Sequence, residues 1–595
     1  MDQSVTHTVY AASPALPTLV RGSVYGAKVH GWTGNIATID LDCGTVRQEK
    51  LSPEVARDFL GGRGLGASIL CEMIDPGTKA DAFDAPLILA VGPLTGIAPM
   101  SGRHSFVTKS PLTGTIVDSS GGGWFGSELK RAGFDAVVIN GQSETPVYLS
   151  IDDHDVRIED ASDLWGLNVR ETTKRLEAHG KVACIGRAGE KCVRFANIMN
   201  DYVHACGRGG IGAVMGHKRL KAIVVHGSTK PGIADEIEFE EVNKEISRLL
   251  RASPALKSLS VYGTPSLVSL INYLGLMPTK NFRDVRFDVE TISGDYIEEN
   301  YELKRRSCYK CSVACKHRTK EDIEIPEYET IAMFGPDCDN NDFDKIIDAN
   351  RVCNDYGMDT ISCGSTIACH QELRGKTHGL SELASMIGER DGVGDELSTG
   401  SRAYADAAGA GDVSMTSKGL EIPGYDPRGA LGQSLAYATS NRGACHMRAY
   451  MIAPEIIGKP KLIDRHTFAG KAGLLSIFQN LSAAMDSLTV CRFSSFALSA
   501  EEYSGILSAV TGIRYTPEDL LRVGERIWNL ERIFNLRAGF TRTDDTLPKR
   551  FFGDGGIDRV EFEDVLDEYY RFRGWGLDGV PAGWKLEELG LQPRW

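Results

Sequence analysis

The sequence predicts an α+β protein in which a β-rich N-terminal domain is followed by two mainly α-helical domains. Three observations support this. The 595 residues exceed the size of one compact domain. The first two hundred residues alternate short β-rich runs with glycine, proline and aspartate, which is typical of strands joined by turns. From Ile237 onward, apolar residues recur at helical spacing instead.

The predicted elements follow from these two patterns. Runs bounded by turn residues predict strands at residues 36–41, 86–91, 136–140, 147–151 and 222–226. Helical periodicity predicts helices at residues 53–60, 238–250, 345–356, 381–387 and 517–534. Thr516 is expected to cap the last of these helices. Residues 418–425 contain glycine and proline and predict a surface connection between the two helical domains.

These elements divide the chain into four parts. Residues 1–25 are rich in Ser, Thr, Ala and Pro and predict a loose leader. Residues 26–228 form the β-rich domain, residues 229–416 the first helical domain, and residues 417–595 the second.

Composition and charge exclude several classes of protein. The chain carries 66 basic and 80 acidic side chains, a net charge of −14, which argues against a nucleic-acid binder. A hydrophobic content of 42% is typical of an ordered globular protein. There is no apolar run of about 20 residues that could span a membrane. The start does not resemble a secretory signal, so the 14 cysteines are expected to be buried or metal-bound in a cytoplasmic protein.

The clearest chemical motif is a set of three closely spaced cysteines, Cys308, Cys311 and Cys315. Three thiolates leave one ligand position open, because zinc and cubane iron–sulfur clusters both need four ligands. Cys491 is the candidate remote ligand, and three close cysteines with a distant fourth suit a [4Fe–4S] cluster. The alternative is a structural zinc ion with His317 as the fourth ligand.

A second motif is a series of glycine- and polar-rich loops in the β-rich domain. In three of them an arginine or lysine accompanies the glycines, and backbone amides beside a cation can bind phosphate oxygens. The alternative is a succession of hairpin turns. The loops are residues 61–66, 92–96, 101–103, 109–114 and 119–126.

Residues 207–212 fit the dinucleotide-binding pattern GxGxxG. That pattern should follow a strand and open a helix within a βαβ unit. The preceding residues 200–206 are polar and poor in strand formers, and the strand at 222–226 follows too soon. The sequence therefore argues against a Rossmann site, although the loop can offer amides and Arg208 to another anion.

Glu329 and His446 are candidates for acid–base catalysis, although a single Glu or His is more often structural. Five further cysteines have no ligand-like spacing and are expected to be simply buried. They are Cys338, Cys353, Cys363, Cys369 and Cys445.

Taken together, these stretches resemble the tungsten-containing aldehyde:ferredoxin oxidoreductase family. The resemblance runs from about Gly26 to Phe552, and the motifs occur in the family's order. It implies a β domain that forms a base, covered by two helical domains. A bis-pyranopterin tungsten cofactor is then expected between them, close to one [4Fe–4S] cluster. The motifs are residues 92–96, 108–114, 194–201, 207–216, 426–429, 436–444 and 544–549.

The resemblance assigns roles residue by residue. The cluster ligands implied are Cys308, Cys311, Cys315 and Cys491. The residues implied to surround the pterin phosphates and their bridging Mg²⁺ are Arg103, Ser120, Gly122, Ala205 and Arg208. Two pterin-binding motifs correspond to residues 354–359, with Asn354 and Asp359, and to residues 486–491, with Asp486 and Val490.

Two positions depart from the family pattern. Asn354 replaces an aspartate, and Thr489 replaces a glycine, which makes the local backbone path uncertain. The Glu-x-x-His pattern of a metal-bridged dimer is absent from residues 344–350, so any homodimer is expected to form by packing.

The implied activity is oxidation of an aldehyde to a carboxylic acid, with Glu329 as base and His446 as hydrogen-bond donor to the developing oxyanion. Electrons would pass through the cluster to a ferredoxin-like protein or iron–sulfur subunit. Two alternatives remain at this point. One is reduction of an aromatic acyl-CoA, as in the benzoyl-CoA reductase branch of the superfamily, for which Cys338 or Cys445 could supply a tungsten ligand. The other is a binding protein without catalytic activity that contains a structural zinc ion.

Overall fold

The computed structural model describes residues 30–77 and 82–591. The predicted leader at residues 1–25 lies outside these ranges. The predicted fold class is confirmed, because two mixed β-sheets in the N-terminal part are followed by helices. Within the described residues, no helix combines the length and the apolar character that a membrane span requires.

The first sheet has six strands in the order β2-β1-β6-β3-β4-β5, and only β1 and β6 are parallel. Its strands are β1 (Asn35–Asp40), β2 (Thr45–Lys50), β3 (Leu87–Ala90), β4 (His104–Lys109), β5 (Ile116–Gly121) and β6 (Ala136–Asn140).

The second sheet also has six strands, in the order β11-β10-β9-β12-β7-β8, and only β7 and β12 are parallel. Its strands are β7 (Val147–Asp152), β8 (Asp155–Asp160), β9 (Lys181–Cys184), β10 (Ile198–Asn200), β11 (His204–Cys206) and β12 (Leu220–His226). The five predicted strands correspond to β1, β3, β6, β7 and β12.

Apart from the exposed edge strand β2, the first sheet is buried on both faces, which explains the uninterrupted apolar run in β6. Val137 and Ile139 point into a core shared with the second sheet. Ala136 and Val138, on the opposite face, join the core that contains the helical part of the chain. Because successive side chains of a strand point to opposite faces, a strand covered on both sides needs apolar residues at every position. This sheet is therefore the base on which the helices rest.

Six helices accompany the sheets: α1 (Pro53–Phe59), α2 (Gly62–Met73), α3 (Phe125–Arg131), α4 (Val169–Leu176), α5 (Arg187–Glu190) and α6 (Ile211–His217). The loop predicted at residues 61–66 is wrong, since α2 begins at Gly62. Its glycines are explained by packing, because a Cβ at Gly64 would lie 2.6 Å from Ile527 Cδ1 and 2.9 Å from Ser487 Oγ. The glycines let α2 lie against the C-terminal helices.

The middle of the chain is mainly helical and contains one hairpin. Its helices are α7 (Glu236–Ala252), α8 (Pro254–Tyr262), α9 (Leu267–Tyr273), α10 (Gly294–Asn300), α11 (Tyr328–Phe334), α12 (Phe343–Tyr356), α13 (Thr360–Arg374), α14 (Leu380–Glu389), α15 (Val393–Leu397) and α16 (Ser401–Ala407). The hairpin pairs β13 (Leu303–Arg306) with β14 (Lys316–Thr319).

The C-terminal part contains α17 (Leu431–Thr439), α18 (Lys471–Leu488), α19 (Ala500–Thr511), α20 (Pro517–Arg537), α21 (Arg559–Arg573) and α22 (Gly583–Glu588). Thr516 caps α20 as predicted, by accepting a hydrogen bond from the Asp519 amide. The longest two helices, α18 and α20, pack closely at Gly524, where a Cβ would overlap the carbonyl oxygen of Asn480. The domain boundaries at 228 and 416 stay a prediction.

The strand context of residues 207–212 also differs from the prediction. β11 precedes this loop and α6 begins at Ile211, so the loop does join a strand to a helix. However, β11 is antiparallel to β10 and is separated from β12 by two strands. Because the loop is not part of a βαβ unit, the argument against a Rossmann site holds.

The predicted surface connection at residues 418–425 is wrong, because this segment is largely buried. It follows β15 (Thr416–Ser417) and contains β16 (Leu420–Glu421). The Lys418 ammonium lies 2.7 Å from Asp545 Oδ1, and Arg532 Nη1 lies 2.9 Å from Asp545 Oδ2. Glycine and proline suggested a surface turn, but the polar side chains find buried partners instead.

Asp545 should therefore be important for stability. Burial acts to raise its pKa, but Lys418 and Arg532 outweigh burial and hold the pKa below its usual value. Asp545→Asn keeps the shape and leaves two buried cations without a counter-ion. We expect a loss of about 3–5 kcal/mol in the free energy of unfolding, measured by denaturant titration.

The matched control is Asp412→Asn, which removes an exposed ion pair with Lys549 and should cost less than about 1 kcal/mol. Equal losses in the two variants would show that the buried carboxylate has no special role.

Candidate active site

Three of the predicted cluster cysteines lie in one tight loop between β13 and β14. The loop holds Cys308, Cys311 and Cys315, and it is attached to the β-rich part by main-chain hydrogen bonds. Met100 N donates to Lys310 O at 3.1 Å, and Tyr309 N donates to Gly123 O at 3.1 Å. The sheets therefore fix the position of the thiols.

Cys491 reaches the same place from the end of α18. The helix stops at Thr489, which adopts left-handed backbone angles (φ 59°, ψ 34°), and Cys491 N donates to Met100 O at 2.8 Å. The uncertainty about position 489 is resolved, because threonine takes the conformation that glycine would favour. A β-branched residue does so only under constraint from its surroundings.

The four thiols form one group. Burial raises the pKa of all four, and each thiol lies near enough to another to affect or be affected by it electrostatically. In the described residues, no three Cys, His, Asp or Glu side chains converge as the ligands of a single ion do. His317 Nε2 lies 3.3 Å from Ser260 O. Which side chains are the four ligands stays a prediction at this point.

Arg103 and its neighbours lie directly beside the cysteine loop. Arg103 Nη2 donates to Ser120 O at 2.7 Å. A Cβ at Gly122 would lie 3.0 Å from Cys308 Sγ and 3.7 Å from Arg103 Nη1, so a larger residue would intrude on both. The structure thus brings Arg103, Ser120 and Gly122 together. The loop predicted at residues 119–126 is partly wrong, since Ser120 lies near the end of β5 and α3 begins at Phe125.

Three of the remaining predicted binding residues line a cavity of about 140 Å³ between the sheets and the helices, whereas Arg208, Asp486 and Val490 lie outside its lining. Ala205, Asn354, Asp359 and Glu329 all line it. Asp359 caps α13, and its Oδ2 lies 3.4 Å from Arg208 Nε. The Arg208 guanidinium also donates to the main chain of the C-terminal part, at Ala444 O (2.7 Å).

Glu329 and His446 face each other across this site. Glu329 lies in the first turn of α11, and its Oε2 accepts a 2.8 Å hydrogen bond from Gly424 N. Its Oε1 lies 3.4 Å from His446 Nε2. Oε1 and His446 Nδ1 are buried and have no hydrogen-bond partner among the described residues. Two polar atoms are thus available to a reactant.

Burial makes both members of this pair neutral at neutral pH. It raises the pKa of Glu329 to about 8, an effect that Cys445 and Asp359 reinforce and that Gly424 N and Arg208 oppose. Burial also lowers the pKa of His446 well below its usual value, with Arg208 and Arg442 adding to the effect. The carboxyl is therefore mostly protonated at pH 7, and the imidazole is uncharged.

A buried arginine cluster, which the sequence patterns did not predict, lies at the centre of the molecule. Asp486 binds three guanidinium groups: Arg448 at 2.9 Å, Arg63 at 3.2 Å and Arg492 at 3.2 Å. Asp118 on β5 binds two of the same arginines, Arg63 and Arg448. The signal that could have found these arginines is their position beside site residues, since Arg492 follows Cys491 and Arg448 lies two residues after His446.

Several N–H groups of this arginine cluster have no hydrogen-bond acceptor among the described residues. Arg442 joins the cluster through Asp118 O, and the Nε atoms of Arg442, Arg448 and Arg492 are buried and have no acceptor among the residues described. A buried N–H without an acceptor is costly, so several in one place indicate a missing anionic partner. These donors fit a group with phosphate oxygens of the kind that the resemblance implies.

Cys445 is buried as expected, but its thiol is unusual. Its Sγ accepts a hydrogen bond from Arg442 Nη2 at 2.8 Å. Burial acts to raise the pKa of Cys445, but Arg442 and Arg448 outweigh it and bring the pKa to about 7. Cys338 is different, because its Sγ donates to Gly364 O in the helical core, and burial raises its pKa well above normal.

Comparison with known proteins identifies the family of the chain. The family model described as the N-terminal domain of aldehyde ferredoxin oxidoreductase matches residues 36–227. The model for domains 2 and 3 of the same enzyme matches residues 241–591. Together the two models cover most of the chain.

Similar proteins extend over nearly the full length. The tungsten-containing aldehyde ferredoxin oxidoreductases of Pyrococcus furiosus and Thermococcus kodakarensis are each 43% identical, covering 95% of this chain and 99% of theirs. The BamBC active-site complex of benzoyl coenzyme A reductase with 1,5-dienoyl-CoA contains a chain of similar structure, with a TM-score of 0.83 and 25% identity. That match covers 95% of this chain and 98% of that one. The chain therefore belongs to the aldehyde ferredoxin oxidoreductase family.

Proposed function

We propose that this protein oxidises aldehydes to carboxylic acids at a bis-pyranopterin tungsten centre and passes the electrons through a [4Fe–4S] cluster. The proposal rests mainly on one carboxylate, Asp486, which binds residues next to both the acid–base pair and the cluster thiols. Asp486 binds both Arg448, two residues from His446, and Arg492, which adjoins Cys491. The acid–base pair and the cluster thiols are thus held in one rigid unit, as a two-electron oxidation coupled to a one-electron carrier requires.

The residues that would hold the cofactors follow from the site. Cys308, Cys311, Cys315 and Cys491 would bind the cluster. Arg103, Arg208 and the free Nε donors of the arginine cluster would bind the pterin phosphates, whose Mg²⁺ would lie near Ser120, Gly122 and Ala205. Asn354, Asp359, Asp486 and Val490 lie at the two motifs that would hold the pterin rings. Asp486 is already engaged by three arginines, so it would act mainly by orienting them.

The chemistry supplied by the bound cofactors is acceptance of two electrons at tungsten and their removal, one at a time, through the cluster. The chain's own part is proton handling and exclusion of water. Glu329 Oε1 is free to take a proton, while Gly424 N fixes Oε2. His446 would place a nitrogen against the substrate oxygen. The rings of Tyr425 and Tyr450 pack at 5.6 and 5.9 Å from His446 and exclude water.

The benzoyl-CoA reductase type of reaction remains the second candidate. The low pKa of the Cys445 thiol favours it, because a thiolate is a good ligand for a soft metal. Cys338 no longer supports it, since that thiol lies in the helical core. The aldehyde reaction is better supported, because the aldehyde oxidoreductases are 43% identical to this chain and the benzoyl-CoA reductase complex is 25% identical.

The electron acceptor is proposed to be a ferredoxin or an iron–sulfur subunit, acting in the cytoplasm. The family name supports a ferredoxin, and one relative is the WOR-like subunit of an aliphatic sulfonate oxidoreductase, at 28% identity. Homodimerisation by packing is also consistent with the family resemblance.

Glu329→Gln tests the proposed base. The variant keeps the size of the side chain but cannot accept the proton, so turnover should fall about 10²–10⁴-fold. Because burial puts the Glu329 pKa at about 8, the base form increases as the pH rises through this value. The wild-type rate should therefore rise through pH 8 and level at higher pH, and the variant should lose this rise. The measurement is aldehyde-dependent reduction of a viologen dye, normalised to tungsten.

Tungsten and iron contents should be equal in the two proteins, because glutamine removes no cofactor contact. A variant rate within about threefold of wild type would remove Glu329 from the mechanism and leave His446 as the remaining candidate.

Cys491→Ser tests the fourth cluster ligand. A cubane held by three thiolates should be labile, so iron per chain and the broad visible absorption should both fall. Cys43→Ser is the matched control, because Cys43 is an exposed thiol far along the chain from the loop. Full iron content in Cys491→Ser, equal to that of the control, would assign the fourth ligand elsewhere.

A further inference from the structure

A surface groove adjoins the cysteine loop. Its volume is about 410 Å³, and Ser307, His204 and Trp124 are among its lining residues. Ser307 is the neighbour of Cys308 in the chain, and His204 Nε2 lies 4.0 Å from Cys308 Sγ. A single imidazole ring therefore separates one cluster thiol from a molecule in the groove.

The chain around the cluster thiols has a charge opposite to that of the whole protein. Between residues 303 and 320 there are seven Lys and Arg side chains and no Asp or Glu, although the net charge of the chain is −14. Three of the seven are paired: Lys316 with Glu327, Arg318 with Asp322 and Lys320 with Glu302. The other four form no ion pair among the described residues: Lys304, Arg305, Arg306 and Lys310. Such a local reversal of sign favours an acidic partner at this face.

The groove itself is lined by three cations and three carboxylates, but the two kinds of group are not all paired with one another. Asp322 is bound to Arg318, and Asp201 accepts a 2.8 Å hydrogen bond from Trp124 N. Glu177 is the third lining carboxylate. In the described part of the chain, neither Arg306 nor Lys181 forms an ion pair, so these two cations are available to a partner.

An exposed aromatic pair lies between these cations. Trp124 is 43% exposed, and its ring packs edge-on against Tyr309 at 5.1 Å. Lys181 Nζ lies 5.7 Å from the Trp124 ring, and Lys310 Nζ lies 5.9 Å from the Tyr309 ring. A large aromatic side chain held at the surface and surrounded by cations is typical of a binding hot spot.

We propose that Trp124, Lys181, Arg306, Tyr309 and Lys310 form the docking surface for a small acidic iron–sulfur electron carrier. This carrier surface rests on the proposed function, because it needs the cluster as its electron donor. Each docked carrier in its oxidised form gains one electron, and the cluster loses one, through Cys308 and His204. Conversion of an aldehyde and water to a carboxylic acid releases two electrons and two protons, so two carriers dock per turnover.

The test is a double charge reversal, Lys181→Glu with Arg306→Glu, in the full chain with its cofactors. The probe is a small acidic [4Fe–4S] ferredoxin, and its binding is measured by calorimetry beside the KM of ferredoxin-linked aldehyde oxidation. We expect the Kd and the KM each to rise about tenfold or more at low salt, and the difference to shrink at high salt. The rate with benzyl viologen, which needs no protein interface, should stay within about twofold of wild type.

Lys549→Glu is the matched control, since it reverses an exposed lysine in the C-terminal part that pairs, among the described residues, only with exposed Asp412. Trp124→Ala should weaken ferredoxin binding without any change of charge. Ferredoxin binding and KM equal to those of the Lys549→Glu control would overturn the carrier surface. If the wild-type protein did not oxidise aldehydes with viologen as acceptor, the proposed function would be overturned instead. The calorimetric comparison of ferredoxin binding would then still test the carrier surface.

Discussion

The site depends on the ion pairs that Asp486 makes at the centre of the molecule. Its carboxylate binds Arg63 from the N-terminal part and Arg448 and Arg492 from the C-terminal part. Removing one member of such a buried network is strongly unfavourable, because it leaves a desolvated charge without a counter-ion. The network therefore fixes the sheets against the helices, and it fixes the end of α18, from which Cys491 reaches the other cysteines.

This constraint also explains how the protein tolerates a threonine at position 489. A left-handed threonine costs of the order of 1–3 kcal/mol, and it persists where neighbouring contacts determine the backbone. Thr489 bonds to Leu488 O and to Thr95 Oγ1, while its neighbour Ser487 lies against α2. The turn that presents Cys491 is thus held by packing on both sides.

Much of the architecture could be predicted from the sequence, because strand and helix periodicity are local signals. The strand at residues 136–140 and the cap at Thr516 follow from neighbours within a few positions. Residues 61–66 and 418–425 could not be predicted this way, because their glycines serve distant contacts and their charges find partners far along the chain. The arginine cluster was missed for the same reason: Arg63 and Glu531 meet across 468 positions.

For the candidate site, the sequence predicted which residues take part, but not the protonation states of Glu329 and His446. The close spacing of three cysteines indicated the cluster, and the resemblance supplied Glu329 and His446. Only the structure shows that burial makes this pair neutral at pH 7, so that Glu329 becomes a base as the pH approaches 8. Desolvation depends on what surrounds a side chain, and that is a property of the fold rather than of the sequence pattern.

The most direct test of this account is electron paramagnetic resonance of the purified protein after anaerobic addition of an aldehyde without any other reductant. The account predicts that the aldehyde alone produces the signal of a reduced [4Fe–4S] cluster. The reason is that the acid–base pair and the cluster thiols are held together, so that electrons from the aldehyde reach the cluster. A protein that contains its tungsten and about four irons per chain but shows no aldehyde-dependent cluster signal would contradict the account.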